Sequence, residues 1–212
     1  MQVARSALIT IDVQRDTLDG QPLEISGTSA VLPNLAALCG GFRNARLPIV
    51  HMVRLYKADG SNAEACRLDL VRGEIPVLRP GTTGRLLAQG LLPDGAADLS
   101  DEVLLSGGLQ HVSDNEVVIY KPRWGAFFGT PLETHLRTLG VTEIVFVGCN
   151  FPNCPRTSIY EASERDFEVA LVEDAISGLY DRGRDEMLGI GVAVVTAADV
   201  LDALEEANTA PR

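Results

Sequence analysis

The 212-residue chain carries only four cysteines, three histidines and one tryptophan, and each scarcity removes a class of protein. The cysteines have no regular spacing, and Cys149 and Cys154 have four residues between them. They form neither a disulfide framework nor a C-x-x-C redox pair, so reduced thiols are expected. His51, His111 and His135 are too scattered for ligand spacing, and no metal is predicted. No apolar run approaches the length of a membrane span, and no basic leader followed by an apolar core opens the chain. A soluble, cytoplasmic protein without a membrane partner is expected. The net charge of -11, offset by no cluster of lysine or arginine, opposes binding to a phosphate backbone, so no nucleic-acid partner is expected either. The turn DVQRDTLDG lacks the G-x-G-x-x-G that lets a pyrophosphate approach a backbone. Val13 and Gln14 after Asp12 break the D-x-D pattern of a phosphotransferase nucleophile. No internal repeat or low-complexity tract appears.

What remains is a chain with 46% hydrophobic residues, enough for one good core, and a single domain over residues 1–212 is expected. Apolar runs alternate with helical patterns. Strands are predicted at Ala7 to Ile11, Leu47 to Val53, Glu116 to Tyr120, Glu143 to Val147, around Glu168 to Val172, and Val192 to Val195. Helices are predicted from Val31 to Arg46, from Pro155 to about Arg165, near Arg184 to Leu188, and from Ala197 to Ala207 behind a Thr196/Asp199 cap. A further helix starts at a capping box of Thr130, Pro131 and Glu133 and stops at Gly140. Such alternation implies an α/β fold with a parallel sheet covered by helices on both faces. The stretch from Arg54 to Asn115 is turn-rich, with a short helical candidate from Thr83 to Gln89. A long excursion of this kind either covers a site or is a surface insertion.

In open α/β sheets the ligand lies beyond the carboxyl ends of the strands. Asp12, Lys121 and Cys154 each follow such an end, so an acid, an amine and a thiol from distant sequence can meet in one crevice. Cys154 precedes Pro155, which suits the first turn of a helix, and a helix N-terminus favours a thiolate. Asp12 would be its general base, and Lys121 would stabilise the anions. Cys39 reads as a core residue, Cys149 as a packing or backbone-placing one, and Cys66, in a polar loop, has no role.

These residues resemble a known family. IDVQRD, KPRWGAFFGT and GCNFPNCPRTS are similar to the three motifs of the isochorismatase-like cysteine hydrolases, and PGTTGRLL is similar to a further family segment. The resemblance implies a six-stranded parallel sheet in the order 3-2-1-4-5-6 and a triad of Asp12, Lys121 and Cys154. It also implies a cis peptide between Cys149 and Asn150, and an oxyanion hole made by the backbone N–H groups of Asn150 and Cys154. The implied activity is hydrolysis of a C–N bond in a small amide, ureido or N-carbamoyl substrate through a thioester, in a homodimer or homotetramer.

Departures from the family pattern shape the expectation further. Relatives resembling nicotinamidases carry an Asp and two histidines that bind a metal, whereas the corresponding loop here, HMVRLYKADGSN, offers only His51. No cofactor is therefore expected, and nicotinamide is disfavoured. Thr17 stands where an aromatic is common, and Pro155 replaces a small apolar residue, which suggests a differently shaped pocket. Trp124 is the candidate pocket wall, Phe151 and Asn153 are candidates for touching substrate, and Phe127 and Phe128 are expected in the core. Arg54 either clamps a substrate carboxylate or is a solvated surface arginine. Two other readings remain open: a catalytically silent interaction module, and a vinyl-ether hydrolase, which the presence of a nucleophilic thiol disfavours.

Overall fold

The apolar runs assemble into one sheet in the computed structural model, which describes residues 3–209. The ends of the expected domain, residues 1–2 and 210–212, lie outside those residues. The chain begins with β1 (Ser6–Ile11), α1 (Thr28–Ala45) and β2 (Ile49–Val53), then crosses the excursion, which holds the short α2 (Leu68–Val71) and α3 (Asp101–Leu105). Next come β3 (Leu109–Ser113), β4 (Glu116–Tyr120), α4 (Leu132–Thr138), β5 (Glu143–Gly148) and α5 (Cys154–Ser163). The last elements are β6 (Glu168–Ile176), α6 (Asp181–Gly189), β7 (Ala193–Val195) and α7 (Ala197–Thr209).

The sheet order is β3-β4-β2-β1-β5-β6-β7. Leaving β3 aside, the six parallel strands follow the expected 3-2-1-4-5-6 order. Alternate residues of each central strand serve opposite faces, which is why these strands read as unbroken apolar runs. Leu8, Val145 and Val147 pack under α1 and α7 with Leu38, Phe42 and Leu204. Ile9, Ile11 and Phe146 pack against Leu136 of α4, Ile159 of α5 and Met187 of α6. One polar row interrupts the first face: His51 bridges Thr10 Oγ1 at 2.8 Å and Glu116 Oε1 at 2.7 Å, and Arg43 of α1 binds both Glu116 oxygens. His51 is thus committed to the core.

Several local expectations give way to tertiary contacts. The seventh strand, β3, pairs antiparallel with β4 at the sheet edge. It is only half-buried, so it lacks the apolar run that marks the other strands. The segment from Thr83 to Gln89 forms no helix, because its backbone pairs with the chain after β1. Arg15 N–H donates to Leu86 O at 2.8 Å and Ala88 N–H to Val13 O at 3.0 Å, flanking a Gln14–Leu87 bridge. The Thr130 capping box is not formed. Thr130 donates to Ala126 O at 2.6 Å, and Glu133 turns to Arg165 at 3.0 Å. The Thr196/Asp199 cap is reciprocal, as expected: Thr196 N–H donates to Asp199 Oδ2 at 2.8 Å and Asp199 N–H to Thr196 Oγ1 at 3.2 Å. Phe127 is in the core, but Phe128 is 58% exposed.

Candidate active site

Strand order reverses at β1, whose neighbours are β2 and β5, and the crevice at the carboxyl ends of these strands gathers the three candidate groups. Asp12 is the first residue past β1 and turns into the left-handed region at φ 53, which Asp tolerates better than most residues. Its carbonyl accepts the Thr17 hydroxyl at 3.0 Å and the Cys149 thiol at 3.1 Å. Lys121, the first residue past β4, is fully buried, and its Nζ lies 2.8 Å from Asp12 Oδ2 and 3.3 Å from Arg123 O. The other carboxylate oxygen, Asp12 Oδ1, is buried without a hydrogen-bond partner. Cys154 opens α5, with Pro155 in the first turn, and the Ser158 hydroxyl donates to its carbonyl at 2.7 Å.

The turn between β5 and α5 depends on glycine at its start. Gly148 has φ 118, and a Cβ there would lie 2.3 Å from Ile11 O. The bare backbone lets Cys149 N–H reach Ile11 O at 2.9 Å, which ties the turn to β1. The Cys149–Asn150 peptide is cis. Phe151 N–H donates to Ser177 O at 2.8 Å, and the Asn153 amide donates to Asn150 Oδ1 at 3.1 Å. Among the described residues, neither Asn150 N–H nor Cys154 N–H has a hydrogen-bond acceptor.

The electrostatics modify the expected thiolate. Burial pushes the Cys154 thiol up to about 12, the Asp12 carboxylate adds to the rise, and Lys121 opposes it. Burial and the Asp12 charge thus favour the thiol over the thiolate at pH 7, despite the seat of Cys154 at a helix start. Lys121 itself feels burial, which favours the neutral amine, but the charge and hydrogen bond of Asp12 lead the effects that raise its pKa above the ordinary value, so it remains an ammonium. Burial raises the Cys149 thiol further still, in keeping with a structural role.

A cavity of about 120 Å³ opens beside the thiol. Asp12, Cys154, Asn150, Asn153, Trp124 and Thr17 line it, so most sequence-predicted residues converge here. Phe151 does not. It is buried in the core, edge-on to Tyr180 at 5.7 Å between centroids. Arg54 lines the cavity and is buried, contrary to the surface reading. Its guanidinium donates to Lys121 O at 3.0 Å and pairs with Glu64 at 2.7 Å, so Glu64 already occupies part of the expected clamp. The excursion closes the site by contributing Tyr56, Arg67 and Leu78, which no local pattern marked as site residues. Among the described residues, no three His, Cys, Asp or Glu side chains group to hold a metal ion, and no helix is long and apolar enough to cross a membrane.

An open α/β sheet with a buried acid–amine pair beside a thiol at its switch point defines the structural class. The chain belongs to the isochorismatase family, a family of hydrolases, whose Isochorismatase domain matches residues 6–202. It is 27% identical over 199 residues to a probable inactive nicotinamidase of Arabidopsis thaliana, covering 90% of this chain and 92% of that protein. It is 26% identical over 181 residues to a ureidoacrylate amidohydrolase of Pantoea ananatis, covering 81% and 68%. The crystal structure of an isochorismatase family protein from Desulfovibrio vulgaris matches with a TM-score of 0.80 at 29% identity, covering 95% of this chain and 98% of that one.

Proposed function

We propose that this protein is a cysteine-dependent hydrolase that cleaves the C–N bond of a small amide, ureido or N-carbamoyl compound through a thioester. The observation that carries the reading is the Asp12–Lys121 pair, held 2.8 Å apart beside the Cys154 thiol, with Asp12 Oδ1 free to accept a proton. Because the resting thiol is protonated, proton transfer to Asp12 accompanies attack instead of preceding it. The Cys154 sulfur bonds to the carbonyl carbon, and the oxyanion takes hydrogen bonds from the N–H groups of Asn150 and Cys154. Asp12 then delivers the proton to the nitrogen, the C–N bond breaks, and ammonia or an amine leaves. Water, losing a proton to Asp12, attacks the thioester. The acid departs and the proton returns to sulfur.

Lys121 holds the Asp12 carboxylate in place and counters the sulfur anion as it forms. The donor set favours chemistry without a metal, since the cavity wall presents the arginines Arg54 and Arg67 and no histidine. The test is ammonia release from primary amides, ureido acids and N-carbamoyl amino acids, with and without chelator. Wild type should turn over at least one class in either condition. Cys154→Ala and Cys154→Ser should each lose at least about 10^3-fold while keeping the wild-type melting temperature. Activity retained in either variant, or lost with chelator, would overturn the proposal.

A further inference from the structure

The ionised groups around the cavity are almost all committed. Asp12 is held by Lys121 at 2.8 Å, and Arg54 by Glu64 at 2.7 Å. Glu24, exposed at the rim, accepts the Gly20 N–H at 2.9 Å. Arg67 differs. Arg67 lines the cavity half-buried, and among the described residues its guanidinium has neither an ion pair nor a hydrogen-bond acceptor. The turn that carries it is anchored: Arg67 N–H donates to Glu64 O at 2.8 Å, and Glu64 is the residue that grips buried Arg54. A planar fork of five donors, positioned over a cavity and left without an acceptor, matches the geometry of a carboxylate.

The remaining wall limits what that carboxylate can belong to. Leu23, Ile25 and Leu78 are apolar, Asp12 and Glu24 are anionic, and Arg54 is already paired with Glu64, so Arg67 is the wall's unpaired cation among the described residues. About 120 Å³ of the cavity is open to the centres of water-sized molecules, which suits a small substrate. We infer that Arg67 is the specificity-determining residue of this site, binding the carboxylate of a short acidic substrate whose amide or carbamoyl carbonyl lies against Cys154. The inference rests on the proposed role of Cys154 as the reacting group, and it adds the direction in which the substrate is bound.

Two thiol reagents that differ only in charge test this without requiring turnover. Iodoacetate and iodoacetamide both alkylate sulfur with loss of iodide, and one ends in a carboxylate, the other in a neutral amide. Their rates are read at Cys154 by peptide mass spectrometry, which separates it from exposed Cys66, and compared with the rates for glutathione. The iodoacetate-to-iodoacetamide ratio at Cys154 should exceed that of glutathione by about tenfold, the size expected for one partly solvated charged hydrogen-bond pair. Arg67→Gln should lower the ratio about tenfold. Arg67→Lys should keep part of it, because the charge survives and the fork does not.

A wild-type ratio no higher than that of glutathione would overturn the inference. So would a ratio within twofold of wild type in Arg67→Gln, or a Cys154 that takes neither reagent. Failure of the hydrolase reading appears elsewhere, as absent ammonia release with the charge preference intact.

Discussion

The buried Asp12–Lys121 pair can be weighed by replacing Lys121 with methionine and Asp12 with asparagine, singly and together. Two unit charges 2.8 Å apart attract by about 6 kcal/mol at an effective dielectric of about 20. Much of that attraction offsets the cost of burying an ammonium with no exposure and a carboxylate with 7%. Either single replacement strands one buried charge and should cost about 3 to 5 kcal/mol. The double variant strands neither, so it should be more stable than the sum of the singles by at least about 2 kcal/mol. Urea denaturation of the four proteins at pH 7 gives the cycle.

The pH dependence adds a sign. In wild type the Lys121 pKa is raised above its ordinary 10.5, so the pair's contribution is fully present below 10.5 and is lost only as pH rises through the higher folded value. In Asp12→Asn, burial and the nearby Arg54 act on the ammonium without that counter-charge, and its folded pKa falls below the unfolded one. The unfolded state then binds more protons at Lys121, and the stability of Asp12→Asn should rise relative to that of wild type between pH 7 and 8.5. The thiols of Cys39, Cys149 and Cys154, whose pKa values folding raises, begin to lower stability near the top of this window in wild type and variant alike, so the readout is the difference between the two proteins. Additivity of the singles within about 0.5 kcal/mol, or no rise in Asp12→Asn relative to wild type, would refute the reasoning.

Two further outcomes follow from the same structure. Burial pushes the Glu116 carboxyl up, but the hydrogen bonds and charges of Arg43 and His51 outweigh burial and lower its pKa below the ordinary 4.5. Its contribution is therefore present above pH 4.5 and lost as pH falls through the folded value. Glu116→Gln should cost about 2 to 3 kcal/mol at pH 7 and flatten the acid limb of the stability curve, and limbs parallel to wild type in urea melts at pH 3 to 7 would contradict this. Gly148→Ala forces a Cβ to within 2.3 Å of Ile11 O at a φ of 118, so it should lower the melting temperature by about 4 to 8 °C, and a shift under about 2 °C would count against the close approach.

The parts of this protein that local pattern determined are those whose environment is uniform along the chain. A strand buried on both faces must be apolar at every position, so β1, β2, β4 and β5 were readable, and so were Asp12 and Lys121 at the strand ends and Cys154 at the helix start. The half-buried edge strand β3 has no such signature. The segment from Thr83 to Gln89 has helical composition, but its backbone groups find better partners in the chain after β1.

Side-chain fate was harder to read than backbone. Arg54 and His51 sit in ordinary-looking sequence, and they are buried only because Glu64 and Glu116 arrive from elsewhere in the chain to neutralise them. Phe151 and Phe128 exchanged their expected surroundings because facing is set by what packs opposite, which the local run does not contain. The sequence alone determined which chemical groups are delivered to the end of the sheet, since strand and helix periodicity are local properties. Only the tertiary structure decided their charge states and the free guanidinium of Arg67, since burial and pairing are sums over atoms that the chain brings together from afar.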